Sequence, residues 1–260
     1  MSDEGEQLDV SKQSVKISQR GIYLLPNLLT TAALFAGFYA IVAAMKGYFE
    51  VAAIAIFVAM IADGLDGRVA RLTQTTSEFG AEYDSLSDMV AFGIAPALVI
   101  YSWSLSQLGK LGWLAAFLYT AATALRLARF NTQVSDKQYF QGLSSTAAAG
   151  MMASTIWLGV GYEISGKIIA ILLASLTIIV AALMVSGIRY SSFKSVDFKG
   201  KVPFITVVLA VFMLAAVAYE PAEVLFAVFM AYTISGPLMT LWQLRKMRKQ
   251  RLSEHRHSRV

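Results

Sequence analysis

The side chains with the clearest chemical potential are four aspartates in one short stretch of the chain, Asp63, Asp66, Asp84 and Asp88. Apolar segments flank this stretch on both sides, Val51–Ala62 before it and Met89–Ile100 after it. If these segments are membrane helices, the carboxylates lie at the edge of a bilayer, where an uncompensated charge is costly and usually functional. Carboxylate oxygens are the ligands that Mg²⁺, Mn²⁺ and Ca²⁺ prefer. The pattern therefore predicts a site for polyvalent cations.

The spacing of the aspartates predicts that they converge. Asp63 and Asp66 share one face of a helix, and Asp84 and Asp88 share one face of the next. The polar link Thr73–Glu82 is short, so the two helices should be antiparallel neighbours. Four carboxylates at such a junction can hold two divalent ions about 3.5–4 Å apart, an arrangement used for displacement at phosphorus.

Three further residues lie on the same face as the first aspartate pair. Gly67 and Ala70 carry little bulk, so a ligand can approach the backbone there. Arg71 adds a fixed cation whose guanidinium suits phosphate oxygens. Together with the carboxylates, these residues indicate a diphosphate site.

This stretch resembles the signature of the CDP-alcohol phosphotransferases at eight positions with fixed gaps, Asp63-x2-Asp66-Gly67-x2-Ala70-Arg71-x8-Gly80-x3-Asp84-x3-Asp88. Helix capping or a solvated loop would explain one or two aspartates, but not all eight positions. The resemblance implies two ions, Mg²⁺ or Mn²⁺ with Ca²⁺ as a possible bound substitute. Asp63, Asp66 and Asp84 would hold them, and Asp88 would complete the second site and act as the catalytic base.

Composition indicates a membrane protein. The chain has 260 residues, of which 57% are hydrophobic and 15% charged, as in multi-pass membrane proteins. Cysteine is absent, which excludes disulfides and thiolate metal sites. The net charge is +5, but the basic residues flank apolar segments and form no patch with interleaved aromatics. Nucleic acid is therefore not an expected partner.

Roughly eight apolar segments are each long enough to span a bilayer as a helix. They lie at about 22–45, 50–72, 83–103, 110–130, 144–162, 166–187, 202–219 and 222–243. The predicted fold is an all-α integral membrane protein, with a six-helix core followed by two C-terminal helices. The fifth segment is the weakest prediction because it is rich in small residues and interrupted by glycines.

The distribution of charge predicts the orientation. Of the 22 lysines and arginines, only Lys46, Lys110 and Lys167 fall in one set of alternate loops. The positive-inside rule then places both termini and the aspartates on the cytoplasmic side. The predicted division is a cytoplasmic tail over 1–20, one catalytic membrane domain over 21–243 and a basic cytoplasmic tail over 244–260.

Smaller features lie on the same side of the membrane. Proline suits a first helical turn, so Pro26-Asn27 with Thr30 and Thr31 can simply start a helix. Alternatively, Asn27 and a threonine contact the nucleotide. By resemblance, Ser77 contacts the diphosphate or sugar of CDP-diacylglycerol, and Gly80 belongs to the same binding site.

Basic residues at two helix ends are candidates for acceptor binding. Arg126 and Arg129 are three residues apart at the end of the fourth segment. They are either helix-terminal charges or partners of a phosphate or of an amino-acid carboxylate. Arg126 lies inside the apolar run and should need a partner. Arg189 and Lys194, after the sixth segment, offer further cations to the same face.

Several stretches resemble the membrane-integral (type II) bacterial phosphatidylserine synthases, namely 21–27, 79–96, 126–131, 140–143 and 192–194. That resemblance implies transfer of a phosphatidyl group from CDP-diacylglycerol to L-serine with release of CMP. It also implies a homodimer in the bacterial cytoplasmic membrane, surrounded by lipid. One departure is visible, because such proteins usually carry proline where this chain has Ser144 or Thr146.

Alternatives share parts of this pattern. Another acceptor, such as glycerol phosphate, inositol phosphate or choline, would keep the chemistry and change only the pocket. A divalent-cation transporter also needs intramembrane carboxylates, but it would not need Arg71 among them or a cluster on one side only. A non-catalytic lipid-binding protein would not need all eight signature positions.

Overall fold

The computed structural model describes residues 25–73, 75, 77–132, 140–190 and 204–257. In these ranges the chain is almost entirely helical. The α-helices are α1 (Leu25–Met45), α2 (Phe49–Leu72), α3 (Glu78–Asp88), α4 (Ala95–Trp103), α5 (Lys110–Thr132), α6 (Ser145–Gly161), α7 (Lys167–Val185), α8 (Phe204–Tyr219) and α9 (Pro221–His257). A π-helical turn, Met89–Ile94, joins α3 to α4, and a 3₁₀ turn, Leu105–Leu108, precedes α5.

The helices confirm an all-α integral membrane protein. Five described spans are long and apolar enough to cross a bilayer: Leu25–Met45, Glu78–Trp103, Lys110–Thr132, Lys167–Val185 and Pro221–Trp242. Helix α2 has 24 residues, but its C-terminal part carries Asp63, Asp66 and Arg71 of the signature. Helices α6 and α8 are shorter, and each coincides with a predicted segment.

The third span begins earlier than the sequence pattern predicts, at Glu78 and not near residue 83. Ser77 is the reason, because its hydroxyl caps the new helix by accepting from the backbone N–H of Gly80 at 3.0 Å. The capped turn shortens the link between α2 and α3. It also places Asp84 and Asp88 inside one continuous helical span.

Helix α6 is the centre of the bundle, packed between α2 and α9. Most of its residues are buried, and many are alanine, glycine or serine, the residue types that let membrane helices approach closely. A side chain at Gly150 would overlap the ring of Phe229 on α9. The small residues made this segment the weakest membrane-helix prediction. They are also the residues that allow α6 to pack in the centre of the bundle.

Ser144, one of the two positions at which the resemblance led us to expect proline, caps α6. Its φ of −64° with an extended ψ is a backbone conformation that proline also adopts. Its hydroxyl accepts from the N–H of Ala147 at 3.1 Å. The loop therefore keeps a proline-compatible shape while serine supplies the helix cap.

Two short extended segments, β1 (Phe140–Gln141) and β2 (Arg189–Tyr190), pair antiparallel at the end of the bundle. Phe140 is opposite Tyr190, and Gln141 is opposite Arg189. Gly142 follows with a φ of +82°, where a side chain would overlap the carbonyl of Met184. The pair joins the segment before α6 to the segment after α7.

Helix α9 continues to His257 and does not end near residue 243. Residues 244–257 contain mostly lysine, arginine, glutamine, methionine and leucine, which favour helix, and lack glycine and proline. The polar composition of this segment indicated a tail but did not require the helix to stop. The division of the chain at residue 244 stays a prediction.

Candidate metal centre and substrate site

The two aspartate pairs lie together where α2 ends and α3 runs back beside it. One carboxylate oxygen from each of Asp63, Asp66 and Asp84 lies within 4.8 Å of the others. The carboxyl group of Asp88 interacts electrostatically with those of Asp63, Asp84 and Asp66. Two such groups repel each other unless a proton or a cation lies between them. All four predicted ligands therefore belong to one cluster.

The residues of this cluster fit a divalent cation. Oδ1 of Asp84 is buried and has no hydrogen-bond partner among the described residues. A buried carboxylate oxygen left unpaired is costly, and a metal ion would satisfy it. Asp66 is only 5% exposed. An all-oxygen donor set suits Mg²⁺, Mn²⁺ or Ca²⁺.

Thr30 of α1 holds Asp66 in place. Its hydroxyl donates to Oδ2 of Asp66 at 2.7 Å and lies 3.1 Å from the carbonyl of Pro26. The backbone carbonyl of Thr30 accepts from the hydroxyl of Ser87 at 3.0 Å. The sequence pattern suggested Thr30 as a nucleotide contact, but the structure places its hydroxyl against a predicted metal ligand.

The other predicted residues of α1 face the start of α3. The hydroxyl of Thr31 donates to the carbonyl of Asn27 at 2.7 Å and lies 2.9 Å from the hydroxyl of Tyr83. A Cβ at Gly80 would lie 3.6 Å from Oδ1 of Asn27. Asn27 and Gly80 are therefore neighbours beside the acidic cluster, and Ser77 caps α3 in the same region.

The surface next to the aspartates on α2 is open. A Cβ at Gly67 would meet no described atom within 4 Å, and Ala70 is only partly buried. Arg71 is exposed, and its Nε donates to the carbonyl of Gly67 at 2.7 Å. This hydrogen bond uses one edge of the guanidinium and leaves the rest of its donors at the open surface.

Arg126 reaches the cluster from α5. Its Nη1 donates to the hydroxyl of Ser145 at 3.0 Å, and its guanidinium interacts electrostatically with Asp88 and Tyr232. Its Nε is buried without a hydrogen-bond partner in the described part of the chain. Arg126 is therefore a partly buried cation with an unused donor beside the carboxylates.

The remaining basic candidates are described less completely. Arg129 is exposed at the end of α5. Arg189 is described by its backbone alone, as part of β2. Lys194 lies outside the described residues.

Four residues near the site were not identified from the sequence: Tyr83, Ser87, Ser145 and Tyr232. Tyr83 and Ser87 directly precede Asp84 and Asp88, so their positions were a usable signal. Tyr232 lies far along the chain on α9, where no motif marks it. Only the packing of α9 against α6 brings Tyr232 towards Arg126.

Comparison with known proteins agrees with this geometry. The family model of the CDP-alcohol phosphatidyltransferases matches residues 23–175. A CDP-diacylglycerol–serine O-phosphatidyltransferase of Helicobacter pylori (strain ATCC 700392 / 26695) is 38% identical over 229 residues, which cover 87% of this chain and 94% of the relative. One of Mycobacterium tuberculosis (strain ATCC 25618 / H37Rv) is 33% identical over 232 residues, 84% of this chain and 79% of the relative.

A third relative carries a different name. The archaetidylserine synthase of Methanothermobacter thermautotrophicus is 34% identical over 168 residues, 64% of this chain and 69% of the relative. The family match spans α1 to the middle of α7 and includes every signature aspartate. The chain belongs to the CDP-alcohol phosphatidyltransferase family.

Proposed function

We propose that this chain is a CDP-diacylglycerol–serine O-phosphatidyltransferase, which transfers the phosphatidyl group to L-serine and releases CMP. The observation that carries the proposal is the convergence of Asp63, Asp66, Asp84 and Asp88 at the junction of α2 and α3. Relatives that match most of the chain bear the name of this activity. Their names support serine over the other acceptors.

The acidic cluster is the proposed metal centre. Asp63, Asp66 and Asp84 would hold two divalent ions, Mg²⁺ or Mn²⁺, with Asp88 completing the second; Ca²⁺ is a possible bound substitute. When bound, the ions neutralise charge on the diphosphate and on the departing CMP. Positioning and charge stabilisation account for most of the catalysis of phosphoryl-type transfers.

The donor lipid is proposed to lie over the open face of α2. Its acyl chains remain in the bilayer, while its diphosphate approaches Gly67 and Ala70 and pairs with Arg71. Asn27, Ser77 and Gly80 border the same region, and Thr31 joins α1 to α3 there through Tyr83. These residues are proposed to contact the nucleotide half of CDP-diacylglycerol.

The acceptor is proposed to bind between Arg126 and Asp88. The unused Nε of Arg126, together with an Nη donor, can bind the carboxylate of serine in a bidentate manner. Arg129, Arg189 and Lys194 would add positive charge to the same end of the bundle. Choline lacks an anionic group for such a cation, which makes it a poorer fit.

Asp88 is the proposed general base. It accepts the proton of the serine hydroxyl, and the serine oxygen forms a bond to the phosphorus that bears the diacylglycerol. The bond from this phosphorus to the bridging oxygen of the diphosphate then breaks. CMP leaves with that electron pair, and the proton passes from Asp88 to solvent.

The cellular arrangement follows from the charge distribution and from the family resemblance. The acidic cluster and both termini are proposed to face the cytoplasm, because 19 of the 22 lysines and arginines are assigned to their side of the membrane and positively charged loops tend to be cytoplasmic. The division into a tail over 1–20, a catalytic domain over 21–243 and a basic tail over 244–260 is part of the proposal. A homodimer in a bacterial cytoplasmic membrane is proposed from the resemblance alone.

A panel of acceptors tests the proposal. Purified enzyme receives CDP-diacylglycerol, Mn²⁺ and one radiolabelled alcohol at a time: serine, glycerol phosphate, inositol phosphate or choline. We expect label in lipid with serine only, CMP release in equal amount, and loss of both after chelation. Preferential labelling by another alcohol contradicts serine specificity, and unchanged activity without divalent ions contradicts the metal centre.

A further inference from the structure

A proline in α9 leaves one backbone carbonyl without its helical partner. Pro237 lies four residues after Thr233, and proline has no N–H to donate to the carbonyl of the preceding turn. The hydroxyl of Tyr190, in β2, donates to this carbonyl at 3.0 Å. Tyr190 is only 1% exposed. The bond therefore satisfies two buried polar groups at once.

The residue before this proline makes room for the tyrosine ring. A side chain at Gly236 would overlap the ring of Tyr190. The same ring packs against Tyr232 with centroids 5.6 Å apart. Gly236 and Pro237 thus form a notch in α9, the first by leaving space and the second by freeing a carbonyl.

The ring in the notch belongs to the short β pair near the proposed acceptor site. Tyr190 directly follows Arg189 in β2, and β2 pairs with Phe140–Gln141. The N–H of Gly142 donates to the carbonyl of Ile188 at 2.8 Å, which extends the contact. The notch therefore holds two chain segments, one before α6 and one after α7.

The notch is also linked to Arg126. Tyr232, which packs against Tyr190, interacts electrostatically with Arg126. Arg126 in turn donates to Ser145, on the helix packed against α9. A single buried ring therefore lies between the backbone of Arg189 and the surroundings of Arg126, two of the four basic residues assigned to the acceptor.

We propose that Tyr190 is a positioning residue, which docks β2 into the Gly236–Pro237 notch of α9 and so aligns the acceptor-binding arginines. The inference rests on the proposed function for its assignment of Arg126 and Arg189 to the acceptor. It makes α9, which lies beyond the residues that the family model matches, part of the acceptor site. The acidic cluster and the donor lipid do not depend on this contact.

The test is a comparison of KM values in Tyr190→Phe, which keeps the ring and removes the hydroxyl. We expect the KM for serine to rise about tenfold, because the carbonyl of Thr233 loses the hydrogen bond from Tyr190, while the KM for CDP-diacylglycerol is unchanged. Tyr162→Phe is the matched control. Tyr162 also donates to α9, through Oε1 of Glu223 at 2.8 Å, but at the opposite end of the bundle, so neither KM should change.

Hydrogen exchange gives a readout that does not depend on activity. Amides of residues 140–143 and 188–190 should exchange faster in Tyr190→Phe than in wild type or Tyr162→Phe. Gly236→Ala should act in the same direction, since its methyl group displaces the ring. Equal exchange rates, or equal rises in the KM of donor and acceptor, overturn the proposal.

The two hypotheses fail in different ways. If the wild-type enzyme prefers another alcohol, serine specificity is wrong, and the KM comparison is made with that alcohol. If the wild-type enzyme uses serine and Tyr190→Phe leaves its KM unchanged, the positioning role is wrong and the proposed function stands.

Discussion

The hydroxyl of Thr30 donates to Oδ2 of Asp66 across the α1–α2 interface at 2.7 Å. Both residues are buried, at 4% and 5% exposure, so the hydrogen bond is shielded from water. It orients one carboxylate of the acidic cluster before any ligand arrives. Groups that orient a metal ligand contribute measurably to metal affinity.

We predict that Thr30→Val weakens divalent-ion binding. Valine keeps the shape of threonine but cannot donate to Asp66, and loss of such an orienting bond typically costs about 10- to 100-fold in metal affinity. Electron paramagnetic resonance of Mn²⁺ bound to the purified enzyme measures the change directly. Thr30→Ser, which retains the hydroxyl, should restore most of the affinity.

The control for this variant is Thr123→Val. Thr123 is equally buried and donates to the carbonyl of Tyr119 within its own helix, so its loss should leave Mn²⁺ affinity unchanged. Equal affinities of Thr30→Val and wild type would remove Thr30 from the orienting role and return it to the nucleotide contacts.

A second prediction concerns the open face of α2. We expect Gly67→Ala to lower kcat/KM by at least about tenfold, because a methyl group would occupy space that the diphosphate needs. Within the described chain this methyl group meets nothing. Alanine also favours helix over glycine by about 1 kcal/mol, so the variant should be no less stable than wild type.

Gly64→Ala is its matched control. Gly64 lies in the same helix, and a Cβ there also meets no described atom within 4 Å. We expect normal activity from Gly64→Ala and a similar melting temperature for both variants. Full activity of Gly67→Ala would argue against close approach of the diphosphate to this backbone.

A third prediction separates binding from turnover at the end of α3. Asp88→Asn removes the proposed base while keeping the side-chain volume, so CDP-diacylglycerol should still bind. Turnover should fall by about 10²- to 10⁴-fold, the usual contribution of a general base. Asp66→Asn is the comparison, because loss of a metal ligand should weaken Mn²⁺ binding as well as turnover.

Rapid-quench kinetics measure turnover, and equilibrium binding of CDP-diacylglycerol measures affinity, so the two effects are separated. Near-normal turnover of Asp88→Asn would exclude Asp88 as the base. Loss of lipid binding in the same variant would instead assign Asp88 a structural or metal-binding role only.

A fourth prediction concerns the acceptor side. Arg126→Lys keeps a positive charge but loses the planar pair of donors that suits a carboxylate. We expect the KM for serine to rise by about 10-fold or more, with little change in the KM for CDP-diacylglycerol. Steady-state kinetics with each substrate varied in turn distinguishes the two.

Arg68→Lys serves as the control for that variant. Arg68 is an exposed arginine on α2 outside the signature, so the same exchange should leave both KM values unchanged. A rise in the KM for the donor lipid alone, in Arg126→Lys, would place Arg126 at the diphosphate and not at the acceptor.

The local sequence pattern was sufficient to predict the helices and the convergence of the aspartates. The apolar segments needed only the length that a bilayer imposes. Each predicted segment contains described helix, although α3 begins before its segment and α9 continues beyond its own. Spacings of three and four residues predicted that Asp63 and Asp66 share a face, as do Asp84 and Asp88. Because the link between α2 and α3 is short, the two aspartate pairs were expected to lie close together.

Local pattern was insufficient where partners lie on distant helices. Thr30 and Thr31 are adjacent and of the same residue type. The hydroxyl of Thr30 donates to Asp66, whereas that of Thr31 lies against the hydroxyl of Tyr83. The two side chains differ because adjacent residues of α1 point in different directions around the helix axis. Only the packed orientation of α1 against α2 and α3 assigns them.

The sequence by itself determined that this chain crosses a membrane as a helical bundle and carries an acidic cluster at one edge, because bilayer thickness and helical periodicity act over short distances. Tertiary structure decided which polar groups hold that cluster and the acceptor-side residues in place. The hydroxyl of Tyr190 finds the carbonyl of Thr233 only because α9 packs beside β2, and Arg126 approaches Tyr232 for the same reason. Such contacts depend on how helices rotate and pack, and no spacing along the chain encodes them directly.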